Sequence, residues 1–358
     1  MKVRGVVSYL HRQYWSMRIG FDEEKRLISN ILLSLGVPEE RAKVTAEVLA
    51  EGDLRGFSSH GILRLPYIVR AIRRGTILPA SEVKIVREAP ATALIDGGHT
   101  LGHYVAYRAM QVAIEKARAA GVSAVGARNS NHFGIAGYYA EMAMKEGMVG
   151  IVTTTTDALV HPWGGAEPIL GTNALAIGIP SDPPVLLDMA TSVAARGKIV
   201  QAAKEGKPIP LGWAVDEEGN PTADPVRALK GALSPFGGAK GYGLGFVLEI
   251  LAGPLVGAAA GRGVVGTLEP ISGFCTKGDL MVVINPLAFV DPQSFQALTR
   301  KFIEEVKNSR KAPGVQRIMI PGQPEYEERK RRLAEGIPIP EEVWSEIKSI
   351  ISELNLKI

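Results

Sequence analysis

The strongest chemical signal in the sequence is the run Ser58-Ser59-His60-Gly61-Ile62-Leu63-Arg64. A helix that begins near His60 places His60 and Arg64 four residues apart on one face. A guanidinium grips a carboxylate in a bidentate fork, and an imidazole exchanges a proton near neutral pH. Side by side they suit a 2-oxo acid, with Arg64 on the carboxylate and His60 donating a proton to the keto oxygen. The helix N-terminus lowers the imidazole pKa, and a neighbouring carboxylate raises it again. The same residues also read as a capping serine followed by an ordinary surface histidine.

Four further segments carry polar or glycine-rich chemistry. Asn129-Ser130-Asn131-His132-Phe133-Gly134 follows a strand-like run and opens a helix-like one. Such a polar cluster must meet water, backbone or ligand, or serve as an elaborate cap. His161-Pro162-Trp163-Gly164-Gly165, with Gly171-Thr172-Asn173, has the small polar and glycine residues of a backbone-lined pocket wall. Leu187-Asp188-Met189-Ala190-Thr191-Ser192 ends a buried strand and leads into a helix. Its N–H groups suit phosphate or ribose oxygens, while Asp188 could instead face and orient a reacting histidine. Phe236-Gly237-Gly238-Ala239-Lys240-Gly241-Tyr242-Gly243 sets one lysine in a glycine loop before a helix, a pattern fit to clamp an anion.

Two motifs are set aside. Gly261, Gly263 and Gly266 match G-x-G-x-x-G. A helix-like run precedes them and Pro270 follows, the reverse of the strand–turn–helix context a Rossmann fingerprint needs. His99 and His103 are four apart, but Gly102 lies between them and no acidic third ligand is close, so no metal site is expected.

Positioning these segments needs a folded scaffold, and the composition allows one. The 358 residues are 46% hydrophobic and 22% charged, a balance ordinary for a globular chain and long enough for two domains. The net charge is +4 and spread along the sequence. The run Arg329-Lys330-Arg331-Arg332 follows Glu325, Glu327 and Glu328, so it reads as a solvated helix face rather than a nucleic-acid patch. One cysteine, Cys275, permits no intrachain disulfide and fits a reducing, cytoplasmic compartment. No 18 consecutive apolar residues occur, so neither a membrane span nor a membrane partner is expected. Residues 1–16 read either as an arm or as a start placed too early, with Met17 the true beginning.

Apolar periodicity predicts helices over 22–35, from Pro38 through 54, and from His60 to about 74, with Ser58-Ser59 as the cap of the third. Strand-like runs at 92–95, 122–127, 149–154, 174–179, 185–189 and 280–285 alternate with helix-like runs at 104–120, 135–146, 193–204 and 242–256. That alternation predicts a layered α/β domain over 91–290. Helices at 292–309 and 325–354 join the first ninety residues, giving a discontinuous helical domain of 1–90 and 291–358.

Taken in order, the segments resemble the type-two malate/L-lactate dehydrogenase family, which is unrelated to the Rossmann dehydrogenases. The resemblance runs from about Asp22 to Gly322. It is carried by Ser59-His60-Gly61 with Arg64, Asn131-His132-Phe133-Gly134, Gly171-Thr172-Asn173 and Asp188-Met189-Ala190-Thr191-Ser192. Ala195-Arg196-Gly197-Lys198, Gly212-Trp213-Ala214-Val215-Asp216, Pro221-Thr222, Asp224-Pro225 and Gly238-Ala239-Lys240-Gly241 extend it. The resemblance implies an α/β mixed-sheet, non-Rossmann nicotinamide-binding domain beside a helical domain, in a homodimer. It implies NAD or NADP as cofactor and a small 2-hydroxy or 2-oxo acid as substrate, with archaeal-type malate dehydrogenase the most similar member. It places catalysis on His60 with Ser59 and Asp188, and substrate contacts on Arg64, His132 and Thr172. Cofactor contacts fall on Met189, Ala190, Thr191, Lys240, Gly241, Ile320, Pro321 and Gly322. L-lactate, L-sulfolactate or a cyclic imine acid are alternative substrates. A lyase using the same histidine, or a ligand-binding module with His60 as a mere cap, are the rival functions.

Overall fold

A computed structural model describes residues 15–268 and 273–356. The expectation of an arm or an early start falls mostly outside these residues; its last two, Trp15 and Ser16, open a strand. The chain divides into two units. One holds the described residues up to Arg74 and from Pro324 onward, and the other holds Gly75–Gln323.

The first unit begins with β1 (Trp15–Ile19), α1 (Phe21–Ser34) and α2 (Glu39–Leu54). Leu27, Ile28, Ile31 and Leu32 recur at helical spacing and are buried against α2. Gly36, at φ 79°, provides the left-handed residue that ends α1. The predicted helix from His60 to 74 is not one helix. Two single 3₁₀ turns, Ser58–His60 and Ile62–Arg64, precede α3 (Leu65–Arg73). Gly61 breaks the helix with φ −96° and ψ −146°, and Pro66 stands in the first turn of α3, where its missing N–H leaves no bond unmade. No side-chain cap bond comes from Ser58 or Ser59.

The second unit is built on a mixed sheet of β2 (Lys84–Glu88), β3 (Thr92–Asp96), β4 (Val122–Arg128), β5 (Val149–Thr154), β6 (Leu175–Ile179), β7 (Val185–Met189) and a later strand. Helices α4 (Gly102–Ala120) and α5 (Ala136–Lys145) pack on it. Then come α6 (Arg196–Glu205), β8 (Ala214–Val215), α7 (Pro225–Lys230) and β9 (Ala232–Leu233), which close over Val160, Leu170, Ile199 and Ile209 in a satellite core. The unit ends with α8 (Ala239–Ala252), β10 (Asp279–Ile284) and α9 (Pro292–Asn308). The large sheet runs β2-β3-β4-β10-β5-β6-β7. Only β3 and β4 pair in parallel; every other described neighbour is antiparallel. Gly261–Gly263 forms a 3₁₀ turn after α8, so the G-x-G-x-x-G match lacks both strand and helix.

The chain then returns to the first unit as α10 (Gln323–Glu335), β11 (Ile337–Pro340) and α11 (Glu341–Glu353). The continuous helix predicted over 325–354 is therefore interrupted by a strand, which pairs antiparallel with β1. The predicted boundary at 90/91 also moves, because β2 hydrogen-bonds to β3. Likewise α9 stays with the sheet, where Gln296 Nε2 donates to Pro180 O at 2.6 Å. Among the described residues one segment, Ala239–Val256, has the length and apolar composition to cross a membrane. Here it packs against β5 and β10 and carries the buried acid Glu249 into the domain.

Candidate active site

His60 sits where the end of α2 is tied to the two 3₁₀ turns. Phe57 N donates to Gly52 O at 2.8 Å, and His60 N donates to Phe57 O at 2.7 Å. Asp53, in the last turn of α2, accepts from Ile62 N at 2.5 Å. That carboxylate fills the space beside Gly61: a Cβ there would lie 2.0 Å from Asp53 Oδ2. Ser59 then holds both reactive groups. Its hydroxyl lies 2.9 Å from His60 Nδ1, and its carbonyl accepts from Arg64 Nε at 2.8 Å. His60 and Arg64 are thus brought together by a serine, not by a shared helix face. Burial, then the Arg64 charge, push the imidazole pKa down to about 3, so it stands neutral.

Residues outside the predicted set complete this turn. Arg332 from α10 is buried and donates to Asp53 O at 2.7 Å. Arg329 grips Glu51 of α2, at 2.7 Å from Nη2 to Oε1. The basic run of α10 is therefore not simply a solvated face, since two of its arginines point into the unit. Burial works to raise the pKa of Glu51, but Arg329 and Arg55 hold it below the ordinary value. Asp53 was detectable as an acid at a helix C-terminus, where the backbone dipole disfavours negative charge.

In the sheet unit, the strand ends bring most of the remaining predicted residues together. Thr172 O accepts from both Thr191 N, at 2.8 Å, and Thr191 Oγ1, at 2.9 Å. Thr191 O in turn accepts from Phe236 N at 3.0 Å. Phe236 O lies against Gly241, where a Cβ would come within 1.7 Å. Met189 and Ala190, half-buried, lead from β7 into this junction. Asp188 accepts from Gly137 N at 2.7 Å and so anchors the start of α5, while the bond observed at His60 Nδ1 is that of Ser59. Ile320-Pro321-Gly322 runs along β7, with Pro321 O accepting from Leu186 N at 3.1 Å and Gly322 packed on Leu186 O. His132 lies in the loop before α5, accepting from Gly134 N at 3.3 Å and edge-on to His103.

Glu249 of α8 organises the Thr172 wall. It accepts from Gly171 N at 3.1 Å, Asn173 Nδ2 at 2.5 Å and Gly261 N at 2.8 Å. It is the single charge between Lys240 and Arg262, and an acid alone in an apolar helix was the signal that could have found it. A nicotinamide dinucleotide fits the start of α8. Gly238 offers no side-chain cap to the first-turn N–H groups, and Lys240 is exposed. A pyrophosphate needs such a helix N-terminus with an adjacent cation.

A family model described as malate/L-lactate dehydrogenase matches residues 19–348. The L-sulfolactate dehydrogenase of Methanothermobacter thermautotrophicus is 52% identical over 96% of this chain and 98% of its own. The malate/(S)-sulfolactate dehydrogenase of Methanothermus fervidus is 48% identical over 96% and 99%. The solved structure of sulfolactate dehydrogenase from Methanocaldococcus jannaschii superimposes with a TM-score of 0.91, at 46% identity over 95% of this chain and 98% of that one. The chain belongs to the malate/L-lactate dehydrogenase family, and it is an oxidoreductase of hydroxy acids.

Proposed function

We propose that the chain interconverts a 2-hydroxy acid bearing a second anion on C3 with its 2-oxo acid, using NAD or NADP. L-sulfolactate and (S)-malate both have this form, with a sulfonate in one and a carboxylate in the other. The observation that carries the reading is the Ser59 bracket, which fixes a neutral imidazole and a guanidinium on successive 3₁₀ turns. Similarity to the sulfolactate and malate enzymes favours these two acids over lactate.

NAD or NADP, when bound, would supply the acceptor of the C2 hydride in oxidation and its donor in reduction. Arg64 grips the C1 carboxylate and orients C2. His60 Nε2 takes the hydroxyl proton in oxidation and gives it back in reduction, while Ser59 holds Nδ1 and the ring plane. The substrate carboxylate offsets the Arg64 charge, so the imidazole becomes more basic once substrate is bound. Lys240 and the first turn of α8 neutralise the cofactor phosphates, and Thr172 and Thr191 line the wall beside them.

The test is a panel of sulfopyruvate, oxaloacetate and pyruvate, each with NADH and NADPH, followed at the reduced-nicotinamide absorbance. Turnover of the first two acids, with pyruvate much slower, is expected. His60→Ala should lower kcat by about 10²–10⁴-fold, the range of general acid–base catalysis. Wild-type turnover in that variant refutes the assignment.

A further inference from the structure

We infer that Glu24 and Asp53 share a single proton and act together as the positioning device of the His60 turn. This rests on the proposed role of His60. The two carboxyl groups come from α1 and α2 of the same unit, and both are buried, Glu24 at 0% exposure and Asp53 at 2%. Glu24 lies on the apolar stripe of α1 with Leu27, Ile28 and Ile31. Neither of its oxygens meets an N–H or O–H of another described residue. The acid that acts on it is the Asp53 carboxyl of the packed helix α2, and two carboxyl groups bond only when one carries a proton.

The surrounding charges decide which oxygen holds it. Asp53 accepts the Ile62 N–H at 2.5 Å, and Arg332 reaches over from α10. Both favour an anion on Asp53 and leave the proton on Glu24. Burial, then the Asp53 charge, push Glu24 well above the ordinary carboxyl range, with Arg332 opposing. Burial raises Asp53 to about 6, against the Glu24, Ile62 and Arg332 interactions. Two nearby acids pair with other arginines: Glu328 with Arg331 and Arg332, and Glu51 with Arg55 and Arg329. The shared proton matters because Gly61 presses against the Asp53 carboxylate. The turn between His60 and Arg64 is therefore registered on that carboxylate. Loss of the proton sets two buried anions side by side and drives Asp53 off Ile62 N.

The sign follows. A carboxyl whose folded pKa is raised stabilises the fold at low pH and loses that contribution as pH rises through the folded value. The experiment measures kcat, KM for the nicotinamide and thermal midpoint across mildly acidic to alkaline pH for wild type, E24A, E24Q and D53N. E24A should lower kcat roughly 10- to 100-fold, the loss expected of a displaced catalytic group, with cofactor KM unmoved. E24Q, whose amide N–H donates to Asp53 without titrating, should restore most of that turnover. Its midpoint should lose the fall with rising pH that Glu24 contributes above the ordinary carboxyl range. D53N removes the Asp53 charge but leaves Glu24 buried, so its fall with rising pH should move to lower pH, while the new amide donates to Glu24 and its oxygen still accepts from Ile62 N. An E24Q as impaired as E24A, or one that keeps the full wild-type fall with rising pH, overturns the inference. If E24A does not fold, E24Q and D53N decide alone. If no hydroxy acid is turned over, the functional reading fails while the midpoint curves still decide the shared proton.

Discussion

Substituting Gly61 by alanine tests the argument that a carboxylate, not a helix, sets the relation of His60 to Arg64. The backbone at Gly61 has φ −96°, so alanine meets no left-handed strain there. The obstacle is Asp53: the new Cβ falls 2.0, 2.1 and 2.3 Å from Oδ2, Cγ and Oδ1. Asp53 is buried and bonded to Ile62 N at 2.5 Å, so it cannot swing aside at no cost. Forcing a methyl into a packed site costs about 1–3 kcal/mol, and losing a hydrogen bond to a charged group costs about 1.5–3 kcal/mol more. G61A should therefore lose roughly 3–5 kcal/mol of stability, a large share of the ~5–15 kcal/mol typical of a folded domain. If the variant folds, displacement of the turn by an ångström should lower kcat by about 10²-fold. Chemical denaturation and steady-state rates measure the two effects. Asp53→Ala removes the obstructing carboxylate, so adding G61A to it should cost far less than G61A alone, a clear departure from additivity. Full stability and turnover in G61A, or strict additivity in the double variant, refutes the reasoning.

Four further outcomes follow from the same geometry. In free enzyme His60 stays neutral down to about pH 3. Substrate binding offsets the Arg64 charge, so the acid limb of kcat in hydroxy-acid oxidation should lie at higher pH than that of kcat/KM, as steady-state pH profiles will read. The same depressed pKa contributes stability above about 6.5, lost as pH falls toward 3; thermal midpoints of wild type and His60→Gln should converge on the acid side. Arg64→Lys loses the fork to the carboxylate and the Nε bond to Ser59 O. It should raise the hydroxy-acid KM by roughly tenfold or more and leave the cofactor KM nearly unmoved. Glu249→Ala strands the Gly171, Asn173 and Gly261 donors and should cost about 3 kcal/mol in thermal unfolding, with Glu249→Gln intermediate.

What could be read from the sequence, and what could not, divides on physical lines. The strands at β3, β4, β5, β6, β7 and β10 and the long helices were legible because each carries an apolar run or stripe in its sequence. β2 was missed because all five of its residues are exposed, leaving no alternation to read. β11 was hidden by its Ile-Pro-Ile-Pro sequence, since proline argues against a strand. It is tolerated in a two-stranded pairing with β1, which leaves one side of the strand without a ladder. The helix expected from His60 failed on two punctuating residues, Gly61 and Pro66, whose joint message is a helix beginning at Leu65.

The candidate site shows the same division at the level of side chains. His60, Arg64, Thr172, Thr191 and Gly241 were visible as chemical types in polar or glycine-rich loops. The acids that hold those loops were not, because Glu24, Asp53 and Glu249 lie within helices whose periodicity reads as core. Spacing along a helix cannot tell a buried acid from a surface one turned slightly inward. Only the fold shows which backbone N–H groups such an acid must satisfy. A buried carboxyl is expensive unless it meets donors or keeps a proton. Glu249 meets three N–H groups, Asp53 meets one, and Glu24 meets none. In that series Glu24 is the acid that must hold a proton, and the His60 turn depends on the neighbour to which it lends it.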